Sequence, residues 1–155
     1  MKKFLLCFLI AAPCFVFSPR LFAQTADRIE RLLSQEHVSY RDSALLVLEA
    51  SGYIDSLGQA SADEAFSIAM ERGWLPTGAE ANGDATLSGL SLLVMQAFEI
   101  DGGYLYSFFK NPHYAYRAMV YRGIIQGRSD PQMFVSGDLL LYTVNKAMNQ
   151  ITDNK

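Results

Sequence analysis

The stretch Thr86-Leu-Ser-Gly-Leu-Ser-Leu-Leu-Val-Met-Gln-Ala-Phe98 begins with a hydroxyl residue and continues as an apolar run. Its apolar residues recur at spacings of four and three, at Leu90, Val94 and Ala97, which places them on one face of a helix. A threonine before such a run is typical of a helix N-cap, because its side-chain oxygen accepts a hydrogen bond from the first turn. The stretch therefore predicts a core-facing helix that begins just after Thr86.

The same pattern occurs three times along the chain. Ser39, Thr86 and Ser136 each precede an apolar run in which a valine follows eight residues later and an alanine eleven residues later. Gly73 and Gly123 each lie 13 residues before the second and third of these caps. Self-similarity of this kind is typical of stacked helical units.

Each unit is predicted to be a helix-loop-helix pair. The first helix begins at Ser61, which forms a capping box with Glu64, or at Asn111-Pro112, and it ends at a glycine in a left-handed position. We expect an all-α bundle of two and a half units, at about residues 26–58, 61–101 and 111–150, the first unit being partial.

The N-terminus has the pattern of an export signal. A basic start, Met1-Lys-Lys3, precedes an apolar run from Phe4 to Phe17 and a small residue, Ala23. The run is shorter than the roughly 20 residues of a membrane-spanning helix. We expect residues 1–23 to be a cleaved signal peptide and residues 24–155 to be an exported domain of the periplasm or cell envelope, with no stable membrane span.

Cleavage after Ala23 changes the charge and the cysteine content of the chain. It removes three of 13 basic residues and leaves 16 acidic ones, so the net charge falls from −3 to −6. Cys7 and Cys14 are also removed, which leaves no thiol, disulfide or cysteine metal ligand. An acidic domain of this kind argues against nucleic acid as a partner, and we expect no metal and no cofactor.

Residues 114–130 resemble a surface-layer homology (SLH) repeat. Tyr114–Asp130 contains the element Gly123-Ile-Ile-Gln-Gly127, and Phe134-Val-Ser136 and an apolar helix follow it. Ser61–Phe98 is similar to a more degenerate copy, and Val38-Ser-Tyr-Arg-Asp42 is nearest to the box that opens the family's second helix. The resemblance covers roughly residues 38–149 and implies a helical bundle that binds cell-wall polymers outside the cytoplasmic membrane.

The chain departs from the family at the residues that hold an anionic glycan there. The family's box has an arginine and a glutamate, whereas this chain has Tyr40 at the arginine position, with Arg41 beside it, and Asp42 at the glutamate position. The boxes at residues 85–89 and 135–139 have lost both charges. The resemblance therefore leaves only the first box able to contact an anion directly.

The candidate ligand-binding residues are arginines with a neighbouring acid, and tyrosines. A guanidinium can hold a carboxylate or phosphate with two parallel hydrogen bonds, and a tyrosine can offer a sugar both a flat face and a hydroxyl. These candidates are Arg41, Asp42, Tyr104, Tyr106, Arg122 and Arg128. For Tyr104 and Tyr106, core or half-buried packing between units remains an open alternative, and that packing is what we expect for Phe108 and Phe109.

No catalytic motif supports an enzyme. The chain has no Gly-x-Ser-x-Gly elbow, no His-Glu-x-x-His and no glycine-rich phosphate loop. We expect a noncatalytic cell-envelope module that binds peptidoglycan or an associated wall glycan. The alternative is a periplasmic protein-interaction or scaffold module that contacts a membrane protein or an envelope assembly.

Overall fold

The computed structural model describes residues 20–54, 60–126 and 129–153, and the side chains within 26–54, 60–126 and 129–152. Residues 1–19 of the expected signal peptide lie outside the described residues, as does Arg128 among the candidate ligand residues.

The described residues form seven α-helices and no strand, which confirms the predicted all-α class. The helices are α1 (Arg20–Leu33), α2 (Tyr40–Ala50), α3 (Ala62–Glu71), α4 (Leu87–Ala97), α5 (Gly103–Phe109), α6 (Pro112–Tyr121) and α7 (Gly137–Asp153). Among the described residues, β-type pairing is limited to the isolated antiparallel bridges Ser39–Asp84 and Thr86–Phe134.

The helix starts follow the capping residues of the sequence. Each cap's side-chain oxygen accepts a hydrogen bond from the backbone N–H three residues later, which satisfies a donor that the first turn would otherwise leave unpaired. The pairs are Ser39 with Asp42 at 3.2 Å, Ser61 with Glu64 at 3.1 Å, Thr86 with Gly89 at 3.2 Å, Asn111 with Tyr114 at 3.0 Å and Ser136 with Leu139 at 3.3 Å.

The helix ends follow the glycines. Gly73 and Gly123 have φ of 69° and 71°, the left-handed conformation that a side chain disfavours. After α3, the Trp74 N–H bonds back to the Ala69 carbonyl at 2.9 Å, which is the long bond of a Schellman end. The α4 helix ends with the same bond pattern, but there Glu99 takes the left-handed position with φ of 53°.

A closed ring of three backbone hydrogen bonds joins the starts of α2, α4 and α7. The Val38 N–H donates to the Val135 carbonyl at 2.8 Å, the Val135 N–H to the Ala85 carbonyl at 2.9 Å, and the Ala85 N–H to the Val38 carbonyl at 2.8 Å. All three residues are fully buried. The ring therefore holds three distant segments of the chain around one point in the interior.

The core is built around α4. Ten of its eleven residues are buried, and it packs against α2, α6 and α7. The α1 helix lies against α7 and is also tied to α2, because the Arg28 guanidinium forms a two-pronged pair with the buried carboxylate of Glu49. The α5 helix packs mainly against α6.

Candidate binding groove

The loop of residues 76–84, between α3 and α4, encloses an open groove with the starts of α2 and α4. The Tyr40 N–H donates to the Gly83 carbonyl at 3.0 Å and the Arg41 N–H donates to the Ala81 carbonyl at 3.1 Å, so the loop is held across the first turn of α2. The enclosed volume is about 400 Å³. We call this cleft the cap groove; it is lined by Tyr40, Pro76, Thr77, Gly78, Ala79, Glu80, Gly83, Asp84, Thr86, Ser88, Pro112 and Gln132.

The lining of the cap groove mixes polar and apolar surface, with somewhat more of the apolar, and its charged side chains are acidic. It presents the hydroxyl of Thr77, the side-chain amide of Gln132 and the carboxylates of Glu80 and Asp84, beside apolar groups such as Pro76. Among the described residues that line it, none is a lysine or an arginine. The volume falls within the roughly 300–1,000 Å³ of small-ligand sites. Its chemistry suits an uncharged ligand rich in hydroxyl and amide groups better than an anion.

Tyr40 forms one wall of the groove. Its ring can lie against α4 because α4 has a glycine, Gly89, at the point of contact. The Tyr40 hydroxyl lies 3.1 Å from Thr86 Oγ1 and accepts a hydrogen bond from the Thr86 N–H at 3.3 Å. A Cβ on Gly89 would lie 2.5 Å from the same hydroxyl oxygen. The SLH resemblance assigns Tyr40 to the arginine position of the first box and Gly89 to the glutamate position of the second, and the tyrosine ring fills the space that a side chain at residue 89 would need.

The corresponding positions of the other two boxes are also closed to an arginine. Leu87 and Gly137 are buried, and a Cβ on Gly137 would lie 1.7 Å from the carbonyl oxygen of Leu32 in α1. Tyr40 is buried too. These three box positions, therefore, do not offer a charge to a ligand.

Arg41 and Asp42 lie beside the cap groove but do not line it. The half-buried Arg41 places Nη1 3.5 Å from the Asp63 carboxylate and Nε 4.0 Å from that of Asp42. The Asp42 carboxylate accepts a hydrogen bond from the Ser39 hydroxyl at 2.8 Å. The structure thus brings this arginine together with acids of its own chain.

Arg122 borders a second, separate cleft of about 340 Å³. Glu99 and Asp101 lie on the same cleft, together with apolar residues and Gln150. The Gln150 side-chain amide donates to the Arg122 carbonyl at 2.7 Å, which ties the end of α6 to α7. Arg41 and Arg122 consequently belong to different surfaces.

The aromatic residues of α5 differ in burial, and not in the way that the sequence predicts. Tyr106 is 5% exposed and accepts a hydrogen bond from the Gln96 side chain at 2.7 Å, and its burial raises the pKa of its hydroxyl to about 12, although that hydrogen bond acts to lower it. Tyr104, in contrast, is 96% exposed. The expectation of core or half-buried packing is wrong for Phe108, which is 83% exposed, whereas Phe109 is about half-buried, at 52% exposed.

The physical reason is the length and position of α5. A seven-residue helix that packs mainly against α6 can bury only one side, and Tyr106 occupies that side. Phe109 rests on the neighbouring helix, where its ring stacks on Tyr114 with centroids 5.3 Å apart.

Sequence reasoning did not single out the groove residues Thr77, Glu80 and Gln132. The available signal was the loop between the C′ glycine Gly73 and the cap Thr86, which contains a proline and an Asn-Gly turn but no chemical motif. Its closure over α2 depends on hydrogen bonds between segments about 40 residues apart in the chain.

His37 lies at the edge of the groove. Its Nδ1 is 3.4 Å from the Asp84 carboxylate, and its ring packs against Phe134 at 4.9 Å. Within residues 20–54, 60–126 and 129–153, no three His, Cys, Asp or Glu side chains group in a way that would hold a metal ion. In the same part of the chain, no helix combines the length and the apolar character needed to cross a membrane.

The fold and the groove define an all-α protein with an open cleft of mixed polar and apolar lining at the junction of its helix caps. Comparison with protein families, curated proteins and solved structures gives no match to this chain.

Proposed function

We propose that the protein is a noncatalytic module of the cell envelope that binds peptidoglycan or an associated wall glycan in the cap groove. The observation that carries this proposal is the groove itself, an open cleft of about 400 Å³ that offers hydroxyl, amide and carboxylate groups beside apolar surface, with no basic residue among its described residues. The export-signal pattern and the SLH resemblance of the sequence support the compartment.

The groove chemistry indicates which part of the wall would bind. Sugar hydroxyl and acetamido groups can exchange hydrogen bonds with Thr77, Gln132 and the carboxylate of Glu80, and these groups are already in contact with water in the free protein. The two carboxylates repel an anionic polymer. The uncharged sugar backbone of a glycan strand is thus a better ligand than an anionic secondary polymer.

Sedimentation with purified wall sacculi tests the proposal. The Glu80→Ala/Gln132→Ala variant removes two exposed groove side chains, and the Glu71→Ala/Asn145→Ala variant removes an exposed acid and an exposed amide elsewhere. We expect the wild type and the second variant to sediment alike. The groove variant should bind at least about tenfold more weakly, because each lost hydrogen bond contributes on the order of 1 kcal/mol.

The nature of the sacculi provides a further check. Sacculi that have been stripped of anionic secondary polymers should bind as well as untreated ones. A wild-type protein that stays in solution at low salt, or a groove variant that sediments like its control, would contradict the proposal.

A second candidate function is contact with another envelope component through an exposed apolar surface. It is favoured by the exposure of Tyr104, Phe108 and Phe109 on α5. This is the surface at which a membrane protein or an envelope assembly would bind in a scaffold module.

A further inference from the structure

The helices α5 and α6 expose an aromatic surface that the cap groove does not use. Of the seven residues of α5, only Tyr106 is buried. We call the exposed apolar residues of these two helices the α5–α6 face. They are Tyr104, Leu105, Phe108, Phe109 and Tyr121. Tyr121 is 92% exposed, so its ring, like that of Tyr104, stands almost free in solvent.

The charge of this region is opposite to that of the rest of the domain. Residues 102–129 contain four basic residues, Lys110, Arg117, Arg122 and Arg128, and no aspartate or glutamate. The remainder of residues 24–155 contains six basic and 16 acidic residues. The net charge is thus +4 in the one segment and −10 in the other, and two of the basic residues, Lys110 and Arg117, are exposed at the end of α5 and on α6.

The two helices and the residue that ends α5 expose both aromatic rings and basic side chains to solvent. On α6, His113, Arg117 and Tyr121 recur at a spacing of four and are all exposed, whereas Ala115 and Met119 on the other side are buried. Lys110 is also exposed, at the end of α5.

We propose that the α5–α6 face docks on an anionic lipid surface. Tyr104 and Phe108 would enter the headgroup region, and Lys110 and Arg117 would pair with lipid phosphates. Aromatic and basic side chains together are the usual composition of surfaces that lie in a membrane interface. The acidic remainder of the domain orients the molecule, because an anionic surface repels it while attracting this face.

A lipid surface fits these observations better than a protein partner does. Rings that protrude almost fully into solvent can enter a deformable headgroup layer without a matching pocket, whereas a protein partner needs a complementary cavity for each ring. The inference does not depend on glycan binding, since no residue of the α5–α6 face lines the cap groove.

Vesicle sedimentation tests the inference. The protein recovered from the envelope of expressing cells is mixed with phosphatidylcholine vesicles, or with vesicles that also contain phosphatidylglycerol. We expect the wild type to bind the anionic vesicles at least about tenfold more strongly, and high salt should remove most of that preference. Equal binding to both vesicle types, or no binding to either, would overturn the proposal.

Matched variants locate the contact. Tyr104→Ser/Phe108→Ser should lower binding to anionic vesicles at least about tenfold, and Lys110→Glu/Arg117→Glu should abolish the preference for them. Tyr142→Ser/Met148→Ser changes two exposed apolar residues of α7 and should bind like the wild type. All variants share the same N-terminus, so any affinity of that segment for lipid is common to them.

Two readouts separate this inference from its alternatives. The Tyr104→Ser/Phe108→Ser variant should keep its helical circular dichroism and its binding to wall sacculi, so a loss of lipid binding cannot reflect unfolding or the groove. If the same variant binds vesicles like the wild type but loses a protein partner from envelope extract, the face is a protein-docking surface and the lipid proposal is wrong.

Discussion

At Tyr40 and Gly89, two residues that look like separate losses of charge in the sequence form one contact. The tyrosine hydroxyl bonds to Thr86, and the missing side chain of residue 89 leaves room for the ring. Neither departure could be interpreted from the sequence, because the residues lie 49 positions apart and their distance depends on the loop that crosses α2. The contact gives the cap groove a fixed wall.

A Gly89→Ala substitution should therefore destabilise the protein. Alanine favours a helix over glycine by about 1 kcal/mol, but the clash with Tyr40 should exceed this gain and lower the free energy of unfolding by about 1–3 kcal/mol. In a Tyr40→Ala background the same substitution should cost less, since the nearest clashing group is gone. Urea unfolding of the four proteins measures this coupling, and an equal effect in both backgrounds would refute the contact.

Tyr106 makes the stability of the protein sensitive to alkaline pH. Its pKa is raised to about 12 in the folded state, mainly by burial, whereas an unfolded tyrosine ionises near 10. The unfolded chain therefore loses this proton first as pH rises. The stabilisation is complete below about pH 10 and is lost as pH rises through about 12, a change of roughly 2–3 kcal/mol.

The Tyr106→Phe variant should lack this alkaline loss. It also loses the hydrogen bond to Gln96, which lowers its stability at every pH, so the informative quantity is the slope between pH 10 and 12. Tyr104→Phe, at a residue that is almost fully exposed, serves as the control and should keep the slope of the wild type. If Tyr106→Phe loses stability with pH as steeply as the wild type, the buried hydroxyl is not responsible.

At the scale of the helix, backbone strain arises where a residue other than glycine takes the left-handed conformation after a helix end. Gly73 and Gly123 take the left-handed conformation just after α3 and α6, but after α4 that conformation falls to Glu99, and it costs a side chain about 1 kcal/mol. Glu99 lies on the cleft that also contains Arg122.

Replacing Glu99 with glycine should raise the melting temperature, and replacing Gly123 with alanine should lower it. Each change should alter the free energy of unfolding by about 0.5–1 kcal/mol, in opposite directions, because the backbone geometry of the two ends is the same. Thermal unfolding followed by circular dichroism measures both. A lower melting temperature for Glu99→Gly would show that the glutamate side chain stabilises its cleft by more than the strain it causes.

The helices that begin at a side-chain cap could be located from the sequence, whereas α5, which lacks such a cap, could not. The starts of α2, α3, α4, α6 and α7 follow side-chain caps, so the sequence was sufficient to locate them. The α5 helix begins at Gly103 after Gly102, an N-cap residue with no side-chain hydrogen bond, and its seven residues are too few to show a helical period. The hydrophobicity of Phe108 and Phe109 predicted burial, but burial requires a neighbouring element, and α6 covers only one side of α5.

For the whole molecule, the repeated caps predicted the helices but not how they meet. The ring of hydrogen bonds between Val38, Ala85 and Val135 joins segments 47 and 50 residues apart, and none of these residues carries a side chain that would mark the contact. The cap groove depends on this junction and on the loop 76–84. The ability of a guanidinium to hold an anion makes the arginines candidates in the sequence. In the structure, Arg41 pairs with Asp63, and the described lining of the groove consists of neutral and acidic residues.

The most direct test of glycan binding in the cap groove is a residue-resolved one. Soluble, uncharged fragments of peptidoglycan glycan are titrated into the isotope-labelled protein while backbone amide resonances are followed by NMR. Glycan binding in the cap groove predicts saturable shifts that concentrate at residues 77–80, 83–88 and 132, with little change in α7 beyond its first turn. An absence of shifts at high fragment concentration, or shifts confined to residues 103–121, would contradict it.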